Sequence, residues 1–202
     1  PVVAAIANRS VLELTPLTLT STATDVDLPG DTLSFSLDSG APTGATIHSS
    51  TGVFLWTPAE SQSPGQHTIT VRVTDNGTGS LSATQSFVVT VSEVNSEPVL
   101  ASIVNQVVTE GQTMNLVLGA TDSDLPANTL TYSLNSGPSG MTVDGKSGLV
   151  SWATGESDGP GNYSVTVRVS DNGIPSLSVV RSFTVDVSES NSTPVIATIG
   201  DQ

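Results

Sequence analysis

The chain contains no cysteine, which excludes a disulfide framework and any thiolate metal site. Many secreted eukaryotic modules of this size carry disulfides, so their absence leans toward a bacterial surface protein stabilised in another way. Cations are scarce as well. Arg9, Arg72, Lys146, Arg168 and Arg181 stand against 19 acids, for a net charge of −14. Such a surface repels nucleic acid and anionic membranes, whose binding needs clustered Lys and Arg, and it attracts cations. No apolar run approaches the length of a membrane span, so this segment is not expected to insert. Helical periodicity is missing throughout.

What the chain does contain is written twice. Pro1-Val-Val-Ala-Ala-Ile6 returns 97 residues later as Pro98-Val-Leu-Ala-Ser-Ile103, and Pro194-Val-Ile-Ala-Thr-Ile199 opens a third copy. The repeat divides the 202 residues into units the size of a small β-sandwich. The expected domains are 1–95 and 96–192, followed by the first strand of a truncated third repeat at 193–202. Because residue 1 lies inside the repeat motif, the chain reads as an excerpt from a longer tandem array, with a leader and anchor, if any, lying outside it.

Acids recur in register between the copies: Glu13 with Glu110, Asp25 with Asp122, Asp27 with Asp124, Glu60 with Glu156, Asp75 with Asp171, and Glu93 with Glu189. A merely solvated surface has no reason to hold its charges in register. The histidines do not recur, since His48 faces Asp144 and His67 faces Tyr163. No nucleophile elbow or Ser/His/Asp arrangement can be assembled, and an enzyme is not expected.

Period-two alternation is everywhere. Ile69, Val71 and Val73 alternate with Thr68, Thr70, Arg72 and Thr74, and Val165, Val167 and Val169 repeat the pattern. Leu33-Phe35-Leu37 and Phe87-Val89-Val91 do the same. Such segments are strands with one apolar and one polar face. Turn signals separate them: Thr51-Gly52 and Ser147-Gly148, Pro64-Gly65 and Pro160-Gly161, Asp75-Asn76-Gly77 and Asp171-Asn172-Gly173. About seven strands are expected per copy, near 2–13 with a kink, 17–23, 33–37, 45–48, 53–57, 67–74 and 83–92. The fold class is all-β, two tandem antiparallel Greek-key sandwiches joined by short linkers.

The order and spacing of Glu110-Gly-Gln, Ala120-Thr-Asp-Ser-Asp124, Leu130-Thr-Tyr-Ser-Leu134, Val167-Arg-Val-Ser-Asp-Asn-Gly173 and Phe183 through Asn191 resemble the cadherin-like repeats. The resemblance extends to their bacterial and dystroglycan-type branch and covers essentially the whole chain. It implies calcium between consecutive modules. The linkers Glu93-Val-Asn-Ser-Glu97 and Glu189-Ser-Asn-Ser-Thr193 are sparser in Asp and Asn than the family's, and Leu14-Thr15-Pro16 follows Glu13 where Gly111-Gln112-Thr113 follows Glu110, so one or two ions per junction are expected rather than three. Carried over by position, Glu13, Glu60, Glu93 and Asn95 would face Asp122, Asp124 and Asp171 at the first junction. Glu110, Glu156, Glu189 and Asn191 would form a half-site toward a third repeat, and Asp25, Asp27 and Asp75 one toward a preceding repeat. Calcium suits such a set, because it takes six to eight oxygens from carboxylates, Asn and backbone carbonyls. The implied role is a non-catalytic extracellular adhesion or structural module whose partners are neighbouring repeats, carbohydrate or another cell-surface protein.

Blander readings stand beside these. The Asp-x-Asp and Asp-Asn-Gly segments are also ordinary turn formers. Trp56 and Trp152 are either core residues or a sugar-stacking platform, and exposure decides between them. A self-assembling surface filament is a further alternative.

Overall fold

The apolar alternations close onto two separate cores. The computed structural model describes residues 1–27, 30–191 and 193–195, and the chain divides into Pro1–Val94 (unit 1) and Asn95–Gln202 (unit 2). Linker residue Asn95, expected to end the first domain, groups with unit 2. The expected third-repeat strand lies, beyond Val195, outside the described residues.

Unit 1 is built from β1 (Val2–Val3), β2 (Arg9–Leu12), β3 (Leu17–Thr20), β4 (Ala23–Thr24), β5 (Leu33–Leu37), β6 (Thr46–Ile47), β7 (Val53–Trp56), β8 (Gly65–Asp75) and β9 (Ser82–Ser92). Unit 2 repeats it as β10 (Val99–Leu100), β11 (Gln106–Thr109), β12 (Thr113–Val117), β13 (Ala120–Thr121), β14 (Thr131–Ser136), β15 (Thr142–Val143), β16 (Leu149–Ala153), β17 (Gly161–Ser170) and β18 (Ser178–Ser188). Each unit has a four-stranded sheet, β2-β9-β8-β5 or β11-β18-β17-β14, and a three-stranded one, β3-β7-β6 or β12-β16-β15. The described helical content is a single 3-10 turn, Glu60–Gln62.

One pairing departs from the antiparallel expectation. The first strand breaks at residues 4–8. Its opening part, β1, runs antiparallel to β4, and β2 then joins the other sheet parallel to β9, with Arg9 opposite Val89. Strand β11 lies on β18 in the same way, Gln106 opposite Val185. A side chain completes the ladder where the crossing strand arrives: Asn8 Oδ1 accepts the Val88 amide at 2.9 Å, and Asn105 Oδ1 accepts that of Thr184 at 3.1 Å.

The alternating residues are the core. Ile69, Val71, Val73 and Val89 are fully buried in unit 1, as are Val165, Val167, Val169 and Val185 in unit 2. Trp56 and Trp152 are 0% and 1% exposed, so neither offers a platform to sugar. Each indole N–H is satisfied inside its unit, donating to the carbonyl of Thr43 (3.2 Å) or Ser139 (3.1 Å). The β6–β7 hairpin needs Gly52, whose φ is +68° and where a Cβ would stand 2.3 Å from the Ser21 carbonyl oxygen.

Candidate metal centre

Three glutamates converge in each unit. Glu13 follows β2, where its amide extends the parallel ladder by donating to Ser92 O at 3.1 Å. Glu60 opens the 3-10 turn, and Glu93 follows β9 directly. Carboxylate oxygens of the three lie within 4.8 Å of one another, as do those of Glu110, Glu156 and Glu189 in unit 2. The sequence segments after Glu13 and Glu110 differ, yet the backbone does not. Leu14 (φ +54°) and Gly111 (φ +73°) both turn left-handed. Their amides bond Pro58 O at 2.8 Å and Thr154 O at 3.1 Å respectively.

Oxygens of Glu13, Glu93 and Glu110 lack hydrogen-bond partners among the described residues. Glu13 is 2% exposed; its Oε1 accepts the Val94 amide at 3.0 Å, while its Oε2 has no hydrogen-bond partner among the described residues. The same holds in unit 2, where Glu110 Oε1 accepts the Ser190 amide at 3.0 Å and Oε2 is left over. Both oxygens of Glu93 are buried and make no hydrogen bond of good geometry among the described residues, although the Ser63 hydroxyl and the Glu13 carboxyl lie near enough to influence its protonation. Burial, then the charges of Glu13 and Glu60, push the Glu93 carboxyl up to about 7. Glu189 is raised as well, by burial and then by Glu110. Buried acceptors left without donors cost roughly 1–3 kcal/mol each. A divalent cation fits this donor set: it would satisfy the leftover oxygens and cancel the mutual repulsion.

The aspartates are different. Asp171, 5% exposed, accepts the amides of Gly173 (3.0 Å) and Leu177 (2.9 Å) on Oδ1 and the Asn95 carboxamide (3.1 Å) on Oδ2. Asp124, 2% exposed, takes the Ser96 amide on both oxygens at 3.1 and 3.0 Å. Asp122 Oδ1 accepts the Asp124 amide at 3.1 Å, whereas its Oδ2 is buried with no partner among the described residues. Asp122 and Asp171 therefore each cap their own turn, as ordinary turn formers do, whereas Asp124 is held by the Ser96 amide and the Asn128 carboxamide; a carboxylate has about four lone-pair positions, and these contacts do not exhaust them. In unit 1, Asp75 caps its own turn through Gly77 (3.1 Å) and Leu81 (3.0 Å). Asp25 accepts the Asp27 amide at 3.1 Å; Asp27 is exposed, as are Glu156, Glu189 and Asn191.

Sequence reasoning passed over three participants. Asn76 and Asn172 tie the Asp-x-Asp loops by accepting the amides of Thr32 (2.6 Å) and Thr129 (2.7 Å), and their recurrence was the available signal. Asn128 bridges Asn95 and Asp124, but aspartate replaces it in the first copy, so recurrence could not reveal it. His48 Nδ1 lies 3.2 Å from Ser50 Oγ. That contact caps an exposed turn, because Asp144 in the second copy accepts the Ser147 amide (2.7 Å) and hydroxyl (2.8 Å) in the same way.

The sequence profile of the family described as "Putative Ig domain" matches residues 1–92 and again 97–188. The chain belongs to that family. Proteins similar to this chain include the fat-like cadherin-related tumor suppressor homolog of Drosophila melanogaster, 30% identical over 184 residues, 86% of this chain. Human protocadherin Fat 1 is 30% identical over 171 residues, 79% of this chain. The chain spans 4% of the length of each. Among solved structures, mouse cadherin-23 EC22-24 superposes with a TM-score of 0.57 at 22% identity, covering 94% of this chain and 65% of that one. Drosophila N-cadherin EC1-4 gives 0.58 at 16% identity, covering 91% and 48%. These Ig-type domains thus have a cadherin-like fold.

Proposed function

We propose that this chain is a non-catalytic repeat segment of an extracellular adhesion or structural protein, in which calcium stiffens the tandem array. The observation that carries the reading is the set of buried carboxylate oxygens without donors among the described residues, Glu13 Oε2 and both oxygens of Glu93, gathered with Glu60. In unit 1, Glu13, Glu60 and Glu93 would hold the ion; Asn95, Asp122, Asp124 and Asp171 would contribute from the following repeat. Glu110, Glu156 and Glu189 would serve the next junction with Asn191. Asp25, Asp27 and Asp75 would serve a preceding one. A bound calcium supplies positive charge and flexible oxygen coordination; the protein's own part is to hold the carboxylates together and shield them from water. The cysteine-free composition leans toward a bacterial surface protein, and neighbouring repeats are its first partners.

Calorimetry on the whole chain tests this. Millimolar calcium should raise the melting temperature relative to EDTA, and superimposable curves refute the reading. A ligand bound only by the folded state adds about 2.7 kcal/mol at a hundredfold excess over Kd.

A further inference from the structure

The glycine of Asp171-Asn172-Gly173 has no conformational reason to be glycine, since it is not among the residues with positive φ. What the position requires is empty space. A Cβ there would stand 1.6 Å from Asn95 Oδ1 and 2.1 Å from its Cγ, so the bare backbone is the floor on which the Asn95 carboxamide lies. The groups around that carboxamide match one orientation of it. Asn95 Nδ2 donates to Asp171 Oδ2 at 3.1 Å and to the Pro175 carbonyl at 2.9 Å. Asn95 Oδ1 accepts from Asn128 Nδ2 at 3.0 Å, and Asn128 also donates to Asp124 Oδ2 at 2.7 Å. An aspartate at 95 would have no hydrogen to offer Asp171 or Pro175.

We propose that Gly173, Asn128 and Asp171 form a seat within unit 2 that selects an asparagine carboxamide at position 95 and anchors the linker with no cation bound. In unit 1 the sequence places Asp31 at the position of Asn128, and its Oδ2 lies 2.5 Å from the Cβ position of Gly77; an aspartate there has no carboxamide hydrogen to donate.

The test uses the whole chain in EDTA, so it is independent of the calcium reading. Gly173→Ala should lower the urea midpoint of unit 2 and release the Asn95 side-chain amide, seen by nitrogen-15 NMR as exchange at the rate of a solvated carboxamide. In an Asn95→Gly background, where nothing remains to clash, Gly173→Ala should leave the midpoint unchanged. Asn128→Asp should release the Asn95 amide as Gly173→Ala does. Equal losses from Gly173→Ala in both backgrounds, or an Asn95 amide signal unmoved by either substitution, would overturn the proposal.

Discussion

Replacing Glu93 with glutamine should stabilise unit 1 in EDTA at pH 8 and leave it nearly unchanged at pH 5. Glutamine keeps the shape of the protonated acid and removes the charge that burial, Glu13 and Glu60 disfavour. The folded-state pKa is about 7 against an ordinary 4.5, so the native state holds this proton more tightly than the unfolded chain. A group shifted upward contributes stability at low pH, and that contribution is lost as pH rises from 4.5 through the folded value. The full shift corresponds to roughly 3 kcal/mol at about 1.4 kcal/mol per pH unit. Solvent screening at a half-buried site brings the expected effect to about 1–2 kcal/mol. For a domain of this size each kcal/mol moves the melting temperature by about 4–8 °C. Calorimetry of wild type and Glu93→Gln in EDTA across pH 5 to 8 therefore gives diverging curves, the variant rising above wild type as pH increases. In millimolar calcium the order should reverse, because the variant lacks a ligand. A variant that is neutral or less stable at pH 8 in EDTA would refute the reasoning.

Further outcomes follow from other sites. Leu14→Gly should raise unit 1 stability by about 0.5–1 kcal/mol in urea titrations, since it relieves a left-handed φ on an exposed leucine; a loss would show that Leu14 packing matters more. Asp122→Ala should remove most calcium-linked stabilisation measured calorimetrically, whereas Asp25→Ala and Asp27→Ala should leave it intact; equal losses would reduce all three to turn formers. Trp152→Ala should destabilise unit 2 by about 3–5 kcal/mol through the cavity it leaves, checked by the urea midpoint of that unit.

Period-two patterning made the strands and core legible, because burial of one sheet face demands it: Ile69, Val71 and Val73 all sit at full burial. The crossing of the first strand to the other sheet was legible only as a kink, since partner and direction depend on long-range pairing that no local signal encodes. Recurrence found the glutamates, whose carboxylates gather in the same way in both units. It could not separate them from aspartates such as Asp171, because a carboxylate capping a turn and one left without donors read alike as letters. Gly173 shows the reverse error. Its place in a turn triplet pointed to backbone freedom, whereas the requirement is room for a side chain 78 positions earlier, at Asn95.

The parallel pairing of β2 with β9, and of β11 with β18, has a mechanical consequence. In each unit the strand near the start lies beside the strand at the end, pointing the same way. Tension that pulls the two ends of a unit apart slides these strands along their length. Their hydrogen bonds must then yield together rather than unzip singly from one end. Under such a load each repeat would be sheared rather than unzipped, with its resistance concentrated in a four-residue strand.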